Sequence, residues 1–133
     1  MALWLCFFSG FAVAKNMPRH GIFVYSNFCI SKMSGDLYGN RITLRRQFDG
    51  DSLIYEYTDG STHIVVADNL VLDEKSDTLS FEVHVQGGSN TIVSGKFIDD
   101  GRSLNVRGML FDEGATFSLK RVVNFGAPLP DCK

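Results

Sequence analysis

The stretch from Thr78 to Val85, TLSFEVHV, alternates polar and apolar side chains at every position. Successive side chains of a β-strand point to opposite faces, so this period of two places four apolar residues together on one face: Leu79, Phe81, Val83 and Val85. A strand of this kind buries its apolar face and leaves the other face in water. The stretch therefore predicts a half-buried strand of an antiparallel sheet.

Similar runs recur along the chain, at the spacing of about ten residues that is typical of all-β domains. Clusters of Asp, Gly, Ser and Asn separate them and predict turns. The predicted strands are Ile22–Ile30, Asn40–Phe48, Leu53–Thr58, Thr62–Leu72, Thr78–Val85, Thr91–Ile98, Leu104–Leu110 and Thr116–Val123. Within Thr62–Leu72, the pair Asp68-Asn69 interrupts two apolar runs and predicts a bulge or a bend.

These strands predict an all-β fold. About eight strands joined by short loops favour an antiparallel up-and-down meander, because Greek-key crossings need longer connections. Closing the meander into a small barrel would remove both exposed edges of the sheet. A two-sheet β-sandwich is the alternative. Residues 15–133 are predicted to form this single domain, since a chain of that length usually folds around one core.

An uncharged apolar segment, residues 1–14, precedes the strands. It is too short to span a bilayer as a helix of about 20 residues, so stable membrane insertion is not expected. It ends in Ala12-Val13-Ala14, a small-x-small pattern typical of a signal-peptidase site, and cleavage there would leave Lys15 first. We interpret residues 1–14 as a signal-peptide-like leader of a secreted or periplasmic protein. The alternative is a first buried strand or helix of the domain.

Two cysteines follow the leader, Cys29 near the start of the domain and Cys132 one residue from its end. In an oxidising compartment this pair would close a loop of about 100 residues. We therefore predict a single disulfide that ties the C-terminal tail to the first strand. The alternative is two unpaired cysteines in a cytosolic protein.

Charge and motif patterns narrow the possible functions. Lys and Arg number 13 against 15 Asp and Glu, a formal charge of −2, which argues against nucleic-acid binding because affinity for phosphates requires clustered cations. His20, His63 and His84 lack the spacing of metal ligands, so no metal is expected. The chain has no Gly-x-Ser-x-Gly motif, and the acidic pair Asp99-Asp100 lies on a predicted hairpin tip. No catalytic residue and no cofactor is assigned.

Two tyrosines are the candidate ligand-binding residues. Tyr55 and Tyr57 share a face with Leu53 in their predicted strand. A tyrosine that faces a barrel lumen supplies apolar area and a hydroxyl that can orient a ligand. The alternative is that both tyrosines fill the core, because side chains alone can fill a barrel of eight strands.

Basic residues could form a cationic patch on the outer wall, or simply keep the sheet hydrated. They are Arg41, Arg45, Arg46, Arg107 and Lys120.

Three segments, Ser34–Leu44, Asp77–Phe81 and Gly101–Leu104, open a strand directly after small polar residues and glycine. In this pattern the region between Ser34 and Arg107 resembles small secreted bacterial β-barrel proteins of unassigned function, which are similar in architecture to lipocalin and avidin-like barrels. The resemblance implies a barrel that holds a small ligand. The Gly-x-Trp signature of lipocalins is missing, since the only tryptophan is Trp4. Small periplasmic lysozyme inhibitors are also similar, as disulfide-tied β-barrels.

We expect a non-catalytic binding module whose partner is a small ligand or a protein. One alternative is a protein inhibitor that acts through hairpin tips such as Asp49–Ser52 or Asp99–Arg102. Another is a small hydrolase whose site assembles only in three dimensions. An open apolar lumen would favour ligand binding, and a filled lumen with a rigid protruding loop would favour inhibition.

Overall fold

The computed structural model describes residues 18–84, 88, 90–108 and 116–133. Ten strands and no helix occur in this part of the chain. The strands are β1 (Gly21–Ser26), β2 (Cys29–Ile30), β3 (Leu37–Arg46), β4 (Ser52–Asp59), β5 (Thr62–Val66), β6 (Asp68–Asp73), β7 (Thr78–Val83), β8 (Thr91–Ile98), β9 (Ser103–Arg107) and β10 (Thr116–Arg121). The predicted leader and the predicted strand residues Val85, Met109 and Leu110 lie outside the described residues.

One antiparallel sheet contains all ten strands, in the order β5-β4-β3-β1-β10-β9-β8-β7-β6, with β2 paired to β3. Strand β1 pairs with β3 on one side and with β10 on the other, so the first and last strands are neighbours. The two end strands of the sheet, β5 and β6, are consecutive in the chain and only Ala67 separates them. The meander is therefore nearly closed into a barrel, which confirms the predicted fold.

One of the predicted strands is divided in the structure. Ile22–Ile30 forms β1 and β2, with a break at Asn27. The side-chain Oδ1 of Asn27 accepts a hydrogen bond from the backbone N of Asn40 at 2.6 Å, and the backbone N of Asn27 donates to Asn40 O at 3.0 Å. These bonds satisfy the backbone where the strand is interrupted.

The predicted bulge or bend in Thr62–Leu72 is confirmed. This stretch forms β5, which pairs with β4, and β6, which pairs with β7. The register between β6 and β7 shifts between Asp68 and Val71, and Asn69 has a φ of 49°. Asn tolerates this left-handed conformation better than most residues. Because of this bend, β5 and β6 can be the two end strands of the sheet although only Ala67 separates them in the chain.

The core consists of the inward-facing side chains of the barrel. Leu79, Phe81 and Val83 are at most 2% exposed, as their alternation predicted. The buried cluster contains Phe23, Tyr25, Ile42, Leu44, Leu53, Tyr55, Tyr57, Leu79, Phe81, Val83, Val93, Phe97, Leu104, Val106 and Leu119. Burial of each large side chain contributes roughly 1.5–3 kcal/mol, so this cluster is the main source of stability.

Arg46 does not lie on the outer wall, contrary to the sequence-based interpretation. It lies two positions after Leu44 in β3 and therefore shares its inward face. The Arg46 side chain is only 7% exposed; its Nη2 donates to Glu74 Oε1 at 2.7 Å, and its Nε lies 3.6 Å from Asp51 Oδ2. Arg46 thus connects the β3–β4 and β6–β7 turns at one end of the barrel.

The predicted disulfide joins Cys29 to Cys132, whose Cα atoms are 4.9 Å apart. Backbone hydrogen bonds hold the same tail: Ile30 N donates to Pro130 O and Cys132 N donates to Ile30 O, each at 2.9 Å. The pairing is as predicted, although Cys29 lies on the short β2 and not on the first strand.

A half-buried ion pair lies on the outer face of β3 and β4. Glu56 points away from the core, yet it is only 8% exposed. Arg41 Nε and Nη2 donate to the two carboxylate oxygens of Glu56 at 2.5 and 2.6 Å, and this hydrogen bonding raises the pKa of Arg41. The Arg41 Cζ lies 4.9 Å from the ring centroid of Phe28, which is itself buried. Phe28, Arg41 and Glu56 define the covered wall of the barrel.

Candidate functional site

The two candidate tyrosines lie in the barrel interior. Tyr55 is fully buried, and its hydroxyl donates to Asn40 Oδ1 at 2.7 Å. Burial strongly raises the pKa of Tyr55, so its phenol stays neutral. Tyr57 is 6% exposed, and its ring stacks on His63 with 4.7 Å between centroids. Both rings belong to the core cluster, and ligand contact by these residues stays a prediction.

A third interior tyrosine supports the Asp99–Arg102 hairpin. The Tyr25 hydroxyl donates to Gly101 O at 2.6 Å. Asp99, Asp100 and Gly101 all have positive φ values, of 53°, 55° and 77°. Two backbone bonds, Gly101 N to Ile98 O and Arg102 N to Asp99 O, close successive turns at 3.1 Å. The tip is therefore well ordered by internal bonds and presents two exposed carboxylates to solvent.

The outer face of β6 to β10 carries an open groove with a volume of about 480 Å³. Most of its lining side chains, such as Ser80 and Ser94, occupy outward positions of their strands, and the inward-facing Leu79 and Val106 border the groove from below. Five small polar side chains line it: Thr78, Ser80, Ser94, Asn105 and Thr116. Its volume falls in the range of about 300–1,000 Å³ that is usual for sites of small molecules. This surface is called the groove below.

Strand register explains how these residues come together. Ser80 pairs with Ser94, Ser94 with Arg107, and Arg107 with Thr116, which makes one row across four strands. Side chains in such a row share a face of the sheet and lie about 5 Å apart at Cβ. Because three of the four are short hydroxyls, the row leaves space above the backbone.

Two cations border the groove. Lys96 and Arg107 are both exposed and lie on neighbouring strands β8 and β9. Lys96 pairs with Asn105, so Arg107 is its diagonal neighbour, at a Cβ separation of roughly 7–8 Å or less. Among the described residues, neither cation has an ion-pair partner. They differ in this from Arg41 and Arg46, which are both paired with carboxylates.

One carboxylate, Asp73, borders the groove on the side of β6. Its Oδ1 accepts hydrogen bonds from the backbone N of Lys75 at 2.9 Å and of Ser76 at 3.4 Å. Hydrogen bonding by the Ser76 side chain and then by the Lys75 backbone lowers the pKa of Asp73. Asp73 is therefore ionised and serves the β6–β7 turn.

The histidines occupy separate places in the structure. His84 Nε2 lies 2.9 Å from Asp68 Oδ2, and its Nδ1 contacts Asn90 Oδ1. His63 lies on β5 and stacks on Tyr57 of β4. Within the described ranges, no group of three or more His, Cys, Asp or Glu is placed to hold a metal ion. Nor does any described segment form a helix of the length and hydropathy needed to cross a bilayer.

Comparisons of the chain with protein-family models, with curated proteins and with solved structures find no match. The groove is the site that sequence reasoning missed. Of its charged residues, only Arg107 belongs to the basic residues that the sequence suggests for a cationic patch. The sequence does contain a signal for the groove, since small polar residues occupy the solvent-facing positions of β7, β8 and β9.

Proposed function

We propose that this protein is a non-catalytic binding module and that the groove is its binding surface. The observation that carries this proposal is the unpaired state of Lys96 and Arg107 within the described part of the chain, beside a cavity of ligand size. Interior polar groups such as the Tyr55 hydroxyl already have partners within the protein. Among the described residues, the groove cations thus offer hydrogen-bonding capacity that the interior Tyr55 hydroxyl does not.

The chemistry of the groove supports binding over catalysis. General acid–base work needs a group whose pKa lies near the working pH. Asp73 has a lowered pKa and is engaged by its own turn, which suits it poorly to accept and release protons. The other uncharged polar groups of the groove are hydroxyls and an amide on the solvent-facing side of the sheet. Such groups are suited to hydrogen bonding with a ligand.

The proposal includes a compartment outside the cytosol. The Cys29–Cys132 disulfide supports it, because such bonds persist mainly in oxidising compartments. The apolar residues 1–14, with their Ala12-Val13-Ala14 ending, support it from the sequence. Intact mass of the protein from its own cells tests this: we expect an N-terminus at Lys15 and a bonded cysteine pair. Free thiols and a retained leader would contradict it.

Binding is tested with the isotope-labelled protein, residues 15–133, and a library of small metabolites and saccharides. Amide chemical shifts are recorded for each mixture, and each ligand is recovered and analysed afterwards. We expect saturable shifts at Ser94 and Arg107, and ligands that are returned unchanged. Conversion of a ligand would indicate an enzyme, and saturable shifts confined to core residues such as Tyr55 would indicate a lumen site.

A second candidate function is inhibition of another protein through the Asp99–Arg102 hairpin. It is favoured by the left-handed residues at the tip and by the Tyr25 hydroxyl that holds them. Preorganised loops bind well because little conformational freedom is lost on association. The test is inhibition of a panel of extracellular hydrolases by the protein and by its D100N variant. Loss of inhibition in D100N, but not in the control D36N, would support this function over the groove.

A further inference from the structure

We infer that the groove recognises a saccharide unit that carries one anionic group, a carboxylate or a phosphate ester. This inference rests on the proposed binding function and names the ligand class. Lys96 and Arg107 would contact the anionic group, while Ser80, Ser94, Asn105 and Thr116 would exchange hydrogen bonds with sugar hydroxyls.

The spacing of the two cations fits a single anionic group. Lys96 and Arg107 are diagonal neighbours on β8 and β9, and both have long side chains that can converge above Asn105. A guanidinium binds carboxylates and phosphates through two parallel hydrogen bonds, and an ammonium adds a compact point charge. Their mutual repulsion is relieved when an anion lies between them, which favours the bound state.

The lining of the groove selects a hydroxyl-rich body for this ligand. Each hydroxyl can both donate and accept a hydrogen bond, and the Asn105 amide has two donors and an acceptor. Ser80, Ser94 and Thr116 lie in one register row, and Asn105 in the next. No aromatic ring is among the residues that line the groove in the described part of the chain. Affinity therefore depends on hydrogen bonds and charge, without a stacking platform.

Charge on the outer face is segregated, and this limits the ligand to one anionic group. The β6 and β7 side carries the carboxylates of Asp68, Asp73 and Glu82, and the β8 and β9 side carries Lys96 and Arg107. An anion at the basic side gains from both cations, whereas a second anion would meet the acidic side and be repelled. The same asymmetry disfavours extended polyanions.

The ligand class is tested by amide-shift titration of the folded domain, residues 15–133, with four probes. Glucuronate and glucose 6-phosphate carry an anion on a sugar, glucose lacks the anion, and inorganic phosphate lacks the sugar. We expect Ser94, Lys96 and Arg107 to shift with one or both anionic sugars, about tenfold more tightly than with glucose or phosphate alone. The preferred sugar distinguishes a carboxylate from a phosphate ester.

A matched pair of variants tests whether the two cations are responsible. K96Q/R107Q should weaken binding of the preferred probe at least about tenfold, while R45Q/K133Q, with the same change in net charge, should bind like the parent. Higher salt should weaken binding in the parent more than in K96Q/R107Q. Equal weakening in both variants would overturn the inference, because the effect would then come from net charge.

The outcomes separate this inference from the proposed function. Equal binding of glucose and glucuronate in the groove would overturn the anionic ligand class and leave a binding module. If Lys96 and Arg107 shifted only with another class of compound from the metabolite library, the anionic-sugar inference would also be overturned and the binding module would remain. Failure of both the four probes and the whole library to shift any groove residue would overturn the inference and the proposed function together.

Discussion

The two outer walls of this barrel use charged residues in opposite ways. On the covered wall, Glu56 is 8% exposed and both of its oxygens accept hydrogen bonds from Arg41. In the groove, Lys96 and Arg107 are exposed and have no ion-pair partner among the described residues. The comparison teaches that a charge with a buried partner contributes to the fold, whereas an unpartnered charge beside a cavity is available for a ligand.

The C-terminal tail is bonded to Cys29, which follows Phe28 of the covered wall in the chain, and removal of this disulfide should give the largest loss of stability. The bond joins residues 103 positions apart, so C29S/C132S should lower the free energy of unfolding by about 2–5 kcal/mol. Urea unfolding measures this loss, with the reduced parent protein as the comparison. Hydrogen exchange should rise more at Ile30 and the tail than at Ser94. An equal rise in hydrogen exchange at the covered wall and at the groove would contradict the distinction between the two walls.

Disruption of the Arg41–Glu56 ion pair should cause the next largest loss in the free energy of unfolding. Glu56→Ala leaves the Arg41 guanidinium beside Phe28 without its carboxylate, at a cost of about 1–2 kcal/mol, since Arg41 is partly exposed and solvent compensates in part. Glu82→Ala is the matched control, because Glu82 is also on an outward position of its strand but lies on the groove side. It should change the free energy of unfolding by less than about 0.5 kcal/mol.

At alkaline pH a different part of the molecule limits stability. Burial raises the pKa of Tyr25 and of Tyr55 above the ordinary value of 10.0, and the Arg121 charge offsets part of this for Tyr25. Because the pKa is higher in the folded state than in the unfolded state, the two phenols contribute fully to the free energy of unfolding below pH 10. This contribution is lost as the pH rises further. Tyr25 and Tyr55 should therefore ionise only on unfolding.

Phenolate absorbance recorded together with circular dichroism tests this prediction. In Tyr55→Phe, one fewer phenol should ionise in step with unfolding. Smooth ionisation of all four tyrosines in the folded protein would show that the interior admits water.

The inner side of the barrel was predictable from sequence and the outer walls were not. Alternation in Thr78–Val83 reports burial directly, because most interior positions hold apolar side chains, whereas the inward-facing Arg46 breaks this pattern. Asp68-Asn69 reported the bend, since both residues suit irregular backbone. Phe48 was predicted inside its strand, but β3 ends at Arg46 and Phe48 is 97% exposed. The boundary shifted because strand ends depend on turn geometry, which periodicity does not encode.

Features of the outer walls depend on which strands become neighbours. Glu56 and Glu82 both read as polar positions between apolar ones, yet only Glu56 meets an arginine on the facing strand. Lys96 and Arg107 become diagonal neighbours through the register of β8 and β9. A single sequence does not specify these registers, so neither the covered wall nor the groove could be derived from it.

The smallest effect on stability is expected for removal of the two groove cations, and it tests the difference between the covered wall and the groove most directly. K96Q/R107Q should change the free energy of unfolding by less than about 0.5 kcal/mol, because exposed charges without partners contribute little and the change relieves repulsion between them. Urea unfolding of this variant beside R45Q/K133Q measures the difference. A loss of about 1–2 kcal/mol, like that expected for Glu56→Ala, would mean that the two cations hold the fold as Arg41 does. Unchanged stability combined with lost ligand binding would separate the roles of the two walls, since one pair of charges would then matter only when a ligand is present.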